Sequence, residues 1–187
     1  MRDAERNDRV VALRERPATS ALTGWCSEPT FWDAYAVRVS KEATPVRVFV
    51  AVFGHHPPLT RAALLLRNRV AKLFGLAVPE ASLLLHTPQV REYLAGEVLG
   101  PWPVFLSTPS ELVVGRDNAH LDFRLSILMH EGVALICTVC RAHGVTGRIY
   151  LQLVRPFHVW GVTTLLRRAL LRPSPAGSSI GDPLAEI

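Results

Sequence analysis

Two alternating segments joined by Glu131-Gly132 constrain this chain more than any other feature. "HLDFRLSILMH" spans 120–130 and "VALICTVCRAH" spans 133–143. Side chains of a strand alternate between its two faces, so residues two apart share a face. Gly132 supplies the positive φ that a tight hairpin needs. With Glu131-Gly132 as a two-residue turn, His130 faces Val133. Counting outward then sets Ser126 opposite Cys137, Arg124 opposite Val139, Asp122 opposite Arg141 and His120 opposite His143. One face carries Leu121, Phe123, Leu125, Ile127, Ala134, Ile136, Cys140 and Ala142, which marks it as the core side. The other carries Asp122, Arg124 and Arg141. Directly opposed charges contribute only about 0.2–1 kcal/mol but fix register. The trio therefore reads as a staple on the outer face rather than a ligand site. A slip of one residue would invert this assignment.

The rest of the chain arranges itself around that hairpin. "DAYAVRVS" alternates as a strand. "PVRVFVAVFG" has β-branched residues that suit a strand, but its position behind a proline suits a short helix. "LTRAALLLRNRVAKLFGL" predicts a helix capped by Thr60, with Leu64, Leu65, Val70 and Leu73 on helical spacing and Gly75 at its end. "WPVFLS" and "ELVVGRD" are short strands. "GRIYLQLVRPFHVWGVTTLLRRALL" carries Tyr150, Leu153, Val154, Phe157, Trp160, Gly161 and Leu165 as a helical apolar stripe. Pro156 is expected to kink or divide that helix. The order predicts an α+β fold: a curved antiparallel sheet wrapped around a long C-terminal helix, with two shorter helices after the first strand. Residues 1–30 read as an extension and linker with a short helix near 4–15, residues 31–172 as one domain, and 173–187 as a flexible tail rich in Pro, Ser and Gly.

Composition narrows the classes of function. The 187 residues are 49% hydrophobic and 20% charged, a globular balance with length for one core. No run reaches the ~18 uninterrupted apolar residues of a membrane helix. The first residues are charged where a signal peptide is apolar, so the expectation is a cytoplasmic protein with no transmembrane segment. The net charge is +5, and residues 145–172 hold Arg148, Arg155, Arg167, Arg168 and Arg172 with no acid. No basic run is interleaved with stacking aromatics, so no nucleic-acid partner is expected. Arg167, Arg168 and Arg172 complement a helix C-terminus. Their alternative role, beside Leu165, Leu166, Leu170 and Leu171, is contact with an anionic surface or partner.

Three cysteines, Cys26, Cys137 and Cys140, fit no disulfide framework. Cys137 and Cys140 spell C-x-x-C inside a strand, where positions three apart point to opposite faces, so neither a redox pair nor a zinc site is expected. His55 and His56 adjoin Pro57 and Pro58 in a loop, His120 and His143 lie across the hairpin, and His158 sits on the last helix. No hydrolase elbow, zinc-protease helix, phosphate loop or dinucleotide fingerprint occurs, and no cofactor or metal is expected.

"GPWPVF", "HLDFRLS", "RAHGVTGRIYLQLVRPFH" and the Arg-rich end resemble the bacterial family catalogued as domain of unknown function 2867, over roughly residues 31 to 171. That family pattern has Asn where this chain has Gly144, so no role for the amide carries over. Some relatives are fused behind a dinucleotide-binding domain; none is read in these 187 residues, so no nucleotide function is expected to carry over. The resemblance implies a START-like helix-grip fold and carries no established activity onto particular residues. Such a fold leaves an apolar cavity between sheet and helix, the usual form of a small-molecule site. Trp102, Phe105, Phe123, Leu125, Ile136, Phe157 and Trp160 are the candidate walls, and Asp122, Arg124, Arg141, His143 and Arg148 the polar candidates. A small apolar ligand is the first expectation. A cyclase- or dehydratase-like enzyme with a cavity His or Asp as general acid or base is the second, and an interaction module built on the basic last helix is the third.

Overall fold

The structure, a computed structural model, describes residues 10–55, 57–73, 75 and 87–169. Seven antiparallel strands form its sheet: β1 (Val10–Ala12), β2 (Phe31–Arg38), β3 (Val98–Leu99), β4 (Trp102–Ser107), β5 (Glu111–Arg116), β6 (Leu121–His130) and β7 (Val133–Ala142). Their spatial order is β1-β2-β7-β6-β5-β4-β3. Among the described residues the helices are α1 (Ala21–Trp25), α2 (Pro45–Phe53), α3 (Pro58–Leu73) and α4 (Gly144–Ala169). This is the expected α+β, helix-grip arrangement.

The β6–β7 hairpin has the register the sequence predicts: His130 opposes Val133, Asp122 opposes Arg141, and every pair between them follows. Glu131 and Gly132 have φ of 47° and 76°. Positive φ at both central residues is what a type I′ turn requires, and its twist matches that of the flanking strands. Residues that alternate toward α4, such as Leu125, Ile127 and Ile136, are buried in the main core with Phe49, Val114 and Leu166.

The ambiguous "PVRVFVAVF" is helical. Pro45 stands in the first turn, and the Thr44 hydroxyl accepts the Arg47 N–H at 3.3 Å. The fixed φ of proline and the cap together set the helix going despite four valines. Val48, Phe49, Val52 and Phe53 then fall on one buried face of α2.

Four expectations are corrected, the last of them in part. Val10–Ala12 is a strand paired with β2, not part of a helix; residues 1–9 lie outside the described residues. The segment that follows is no loose linker: α1 covers the outer face of the sheet, where Leu22 packs with Ala34, Val113, Cys137 and Val139. That face is apolar at its centre and needs a cover, a demand invisible in local periodicity. Thr60 lies inside the first turn of α3 rather than before it, and Leu73 is 85% exposed, while Thr60, Asn68 and Ala71 are buried. Finally, Pro156 does not divide the last helix: α4 runs through it as one helix of 26 residues. Pro156 deprives only the Gln152 carbonyl of its helical donor, and both residues face solvent, where water replaces the bond.

Candidate functional site

A cavity of about 190 Å³ lies between the inner face of the sheet and helices α2, α3 and α4. Strands contribute Phe31, Leu121, Phe123, Leu125, Thr138 and Cys140. Trp102 forms one wall, edge-on to Phe49, Phe53 and Phe123 with ring centroids 5.7, 6.2 and 5.8 Å away. Edge-to-face aromatic clusters of this kind hold their geometry and present a firm apolar surface. Phe157 and Trp160 of α4 also line the cavity yet remain 55% and 39% exposed, so they form its rim.

Of the residues expected as walls, Trp102, Phe123, Leu125, Phe157 and Trp160 line this cavity. Two do not. Ile136 is fully buried against Ile127 near the hairpin turn, where α2 and the end of α4 pack directly on the sheet. Phe105 sits at a register irregularity: Val104 pairs with Val114 but Leu106 pairs with Val113, leaving Phe105 between them. The bulge aims its ring at the outer face, under the guanidinium of Arg124 at 3.5 Å.

Asp122, Arg124, Arg141 and His143 are all on that outer face, with the sheet between them and the cavity. Asp122 accepts from Arg141 at 2.9 Å and pairs with the His143 Nε2 at 2.8 Å. Arg124 is buried, clasped by both oxygens of Asp117 at 2.6 and 3.0 Å and by the rings of Phe105 and Trp25. Arg148 is exposed on the first turns of α4. Arg167 and Arg168 are exposed while the neighbouring Leu165 and Leu166 are buried. Leu170, Leu171 and Arg172 lie outside the described residues, as does His56. Among the described residues no helix is long and apolar enough to cross a membrane.

The outer network predicts an acid dependence of stability. Burial alone would raise the Asp122 carboxyl, but hydrogen bonds from Arg141, His143 and the Asn118 N–H outweigh it and hold the group below the usual carboxylate range. A depressed folded-state pKa contributes stability above the unfolded value of about 3.9, lost as pH falls through the folded one. Wild type is therefore expected to exceed Asp122→Asn in urea midpoint at pH 5, with the gap closing toward pH 2. A gap constant with pH would refute the assignment.

The polar groups that do reach the cavity were not legible as a set. His158 of α4 lines it and places Nε2 3.1 Å from Asp33 Oδ2, which also accepts from the Tyr35 hydroxyl at 3.2 Å. Burial, then the charge of Asp33 and that hydrogen bond, pushes the Tyr35 phenol far above its ordinary range. Cys140 lines the cavity, but burial, aided by Asp33, pushes its thiol up to about 12, so it is no nucleophile at neutral pH. Thr60, Ala63, Leu64 and Arg67 of α3 also line it. They fall at i, i+3, i+4 and i+7, and the small Thr60 and Ala63 on that stripe are the signal that marks the face as one beside open space.

No curated protein and no solved structure matched the chain. Residues 25–165 match the family described as "Protein of unknown function (DUF2867)". That span begins at the end of α1, contains every cavity-lining residue and stops at Leu165 within α4. With three-quarters of its length inside the match, this chain belongs to that family.

Proposed function

We propose that the protein binds a small, largely apolar molecule in the cavity between the sheet and α4, after the manner of START-like helix-grip proteins. The observation that carries this is the aromatic-walled cavity itself, with Phe157 and Trp160 standing half-exposed at its rim. Its size sets the scale. An apolar cavity of about 150 Å³ accepts benzene, so about 190 Å³ suits a single-ring or short branched molecule rather than a sterol.

Gly161 offers a direct test. It lines the cavity, and a Cβ added there meets no atom within 4 Å. Gly161→Phe is expected to fill the space and abolish uptake of single-ring probes such as toluene, measured by native mass spectrometry and by thermal shift. Wild type is expected to take up one equivalent. Failure of wild type to bind any apolar probe would overturn the proposal.

The pairing of His158 with Asp33 favours a second reading, an enzyme of the cyclase or dehydratase kind with His158 as general acid or base. Turnover of a bound ligand that disappears in His158→Gln, with binding retained, is the result expected of it.

A further inference from the structure

Among the described residues, the cavity also holds positive charge with no carboxylate counterion. Arg67 is half-buried on α3 and lines the cavity beside the phenol of Tyr150. Its side-chain hydrogen bond runs to the neutral Asn68 Oδ1 at 3.2 Å. Arg155 lines the cavity from α4 and lies over the ring of Phe31 at 5.3 Å. Among the described residues no carboxylate pairs with either guanidinium; the nearby Asp33 is engaged by His158 and Tyr35. A second, independent observation comes from Thr60. It is 4% exposed, lines the same cavity two helical turns from Arg67, and its hydroxyl oxygen has no hydrogen-bond partner among the described residues. A buried hydroxyl left unmatched is uncommon and points to a missing polar atom.

We infer that the ligand is an acid: a single-ring or short branched carboxylate whose apolar body lies against Trp102 and Phe123 and whose anionic head is held by Arg67 and Arg155. The inference rests on the cavity-binding reading and adds the chemistry of the head group. Each part has a reason. A guanidinium presents a planar fork of donors that matches a carboxylate. The apolar walls weaken competition from water, so the charge-assisted contact discriminates against a neutral head. The volume limits the body to about one ring. Thr60 supplies a hydroxyl for a polar atom at the far end of the ligand.

The test compares acids with neutral molecules of the same shape. Benzoate and phenylacetate, with benzamide and phenylacetamide as isosteres, are titrated into the full chain at pH 7 by calorimetry, with toluene as the apolar reference. The acids are expected to bind about tenfold or more tightly than the amides. Arg67→Met is expected to remove that preference while leaving toluene uptake in place, and Arg67→Lys to restore part of it. Equal affinity of wild type for acid and amide, with toluene bound, would overturn the acid and leave the apolar site standing. No binding of any probe, toluene included, would overturn both. The comparison within wild type decides the matter even where a variant fails to fold.

Discussion

Phe49→Ala is expected to lower the unfolding free energy by roughly 3–5 kcal/mol, the range for removing a fully buried ring. Phe49 is 1% exposed and belongs at once to the main core and to the cavity wall. Its removal deletes the edge-on contact with Trp102 and the tilted one with Phe53. Aromatic pairs are worth about 0.5–1.5 kcal/mol beyond the area they bury, which places the loss toward the upper end. For a chain of this size the change corresponds to a fall in Tm on the order of 10 °C. The same change enlarges the cavity, so bulkier apolar probes should bind the variant and recover part of the stability by mass action. Urea denaturation with and without naphthalene measures both effects. A loss below about 1 kcal/mol would mean that α2 collapses into the space and that Phe49 is not a fixed wall.

The second large effect comes from a single methyl group. Gly147 lies where α4 crosses the start of β6, and a Cβ there would sit 1.9 Å from the His120 carbonyl oxygen and 3.0 Å from its carbon. Both atoms are backbone, and that oxygen also accepts the His143 N–H at 2.8 Å, so it is held in place. Alanine is ordinarily favoured over glycine in a helix by about 1 kcal/mol. Here the clash dominates, and Gly147→Ala is expected to destabilise by about 1–3 kcal/mol net. Gly161, in the same helix, has open space beside it, so Gly161→Ala is expected to stabilise by about 0.5–1 kcal/mol. Opposite signs in the two denaturation curves are the expected result. A stabilising Gly147→Ala would show that α4 does not approach the sheet as closely as described.

What could be read in the residues was what depends on near neighbours. The β6–β7 register follows from one turn and a period of two, so the Asp122–Arg141 pair and the core face were legible. So was the opposed orientation of Cys137 and Cys140, which join different apolar clusters. What depends on apposition of distant segments was not. Nothing near Phe105 announces a bulge, and nothing near Ser20 announces that its hydroxyl donates to Glu111 at 2.7 Å and brings α1 onto the sheet. The apolar stripe read on α3 was right at Leu64, which lines the cavity, and at Val70, which packs on the core, but wrong at Leu65 and Leu73, which are exposed; the inward face is completed by the small Thr60 and Ala63 because the helix borders a cavity. Arg67 carried no local mark at all; its meaning comes from facing α4 across open space.

The partnership of β2 with β7 has a consequence for the order in which the molecule assembles. Strands β3 to β7 follow one another as neighbours, each hairpin closing a short loop. β2 enters beside β7 from the other end of the chain: the Thr30 hydroxyl meets the Ala142 N–H across 112 residues of sequence. Closing so long a loop costs more chain entropy than any hairpin, and such non-local pairings slow folding. Phe31, α2 and α3 arrive with that closure, so the meander is expected to form before the pocket is sealed, an order that φ-values in β2 and in the β6–β7 hairpin would check. An apolar guest present during refolding is then expected to be enclosed as β2 docks, without passing the rim.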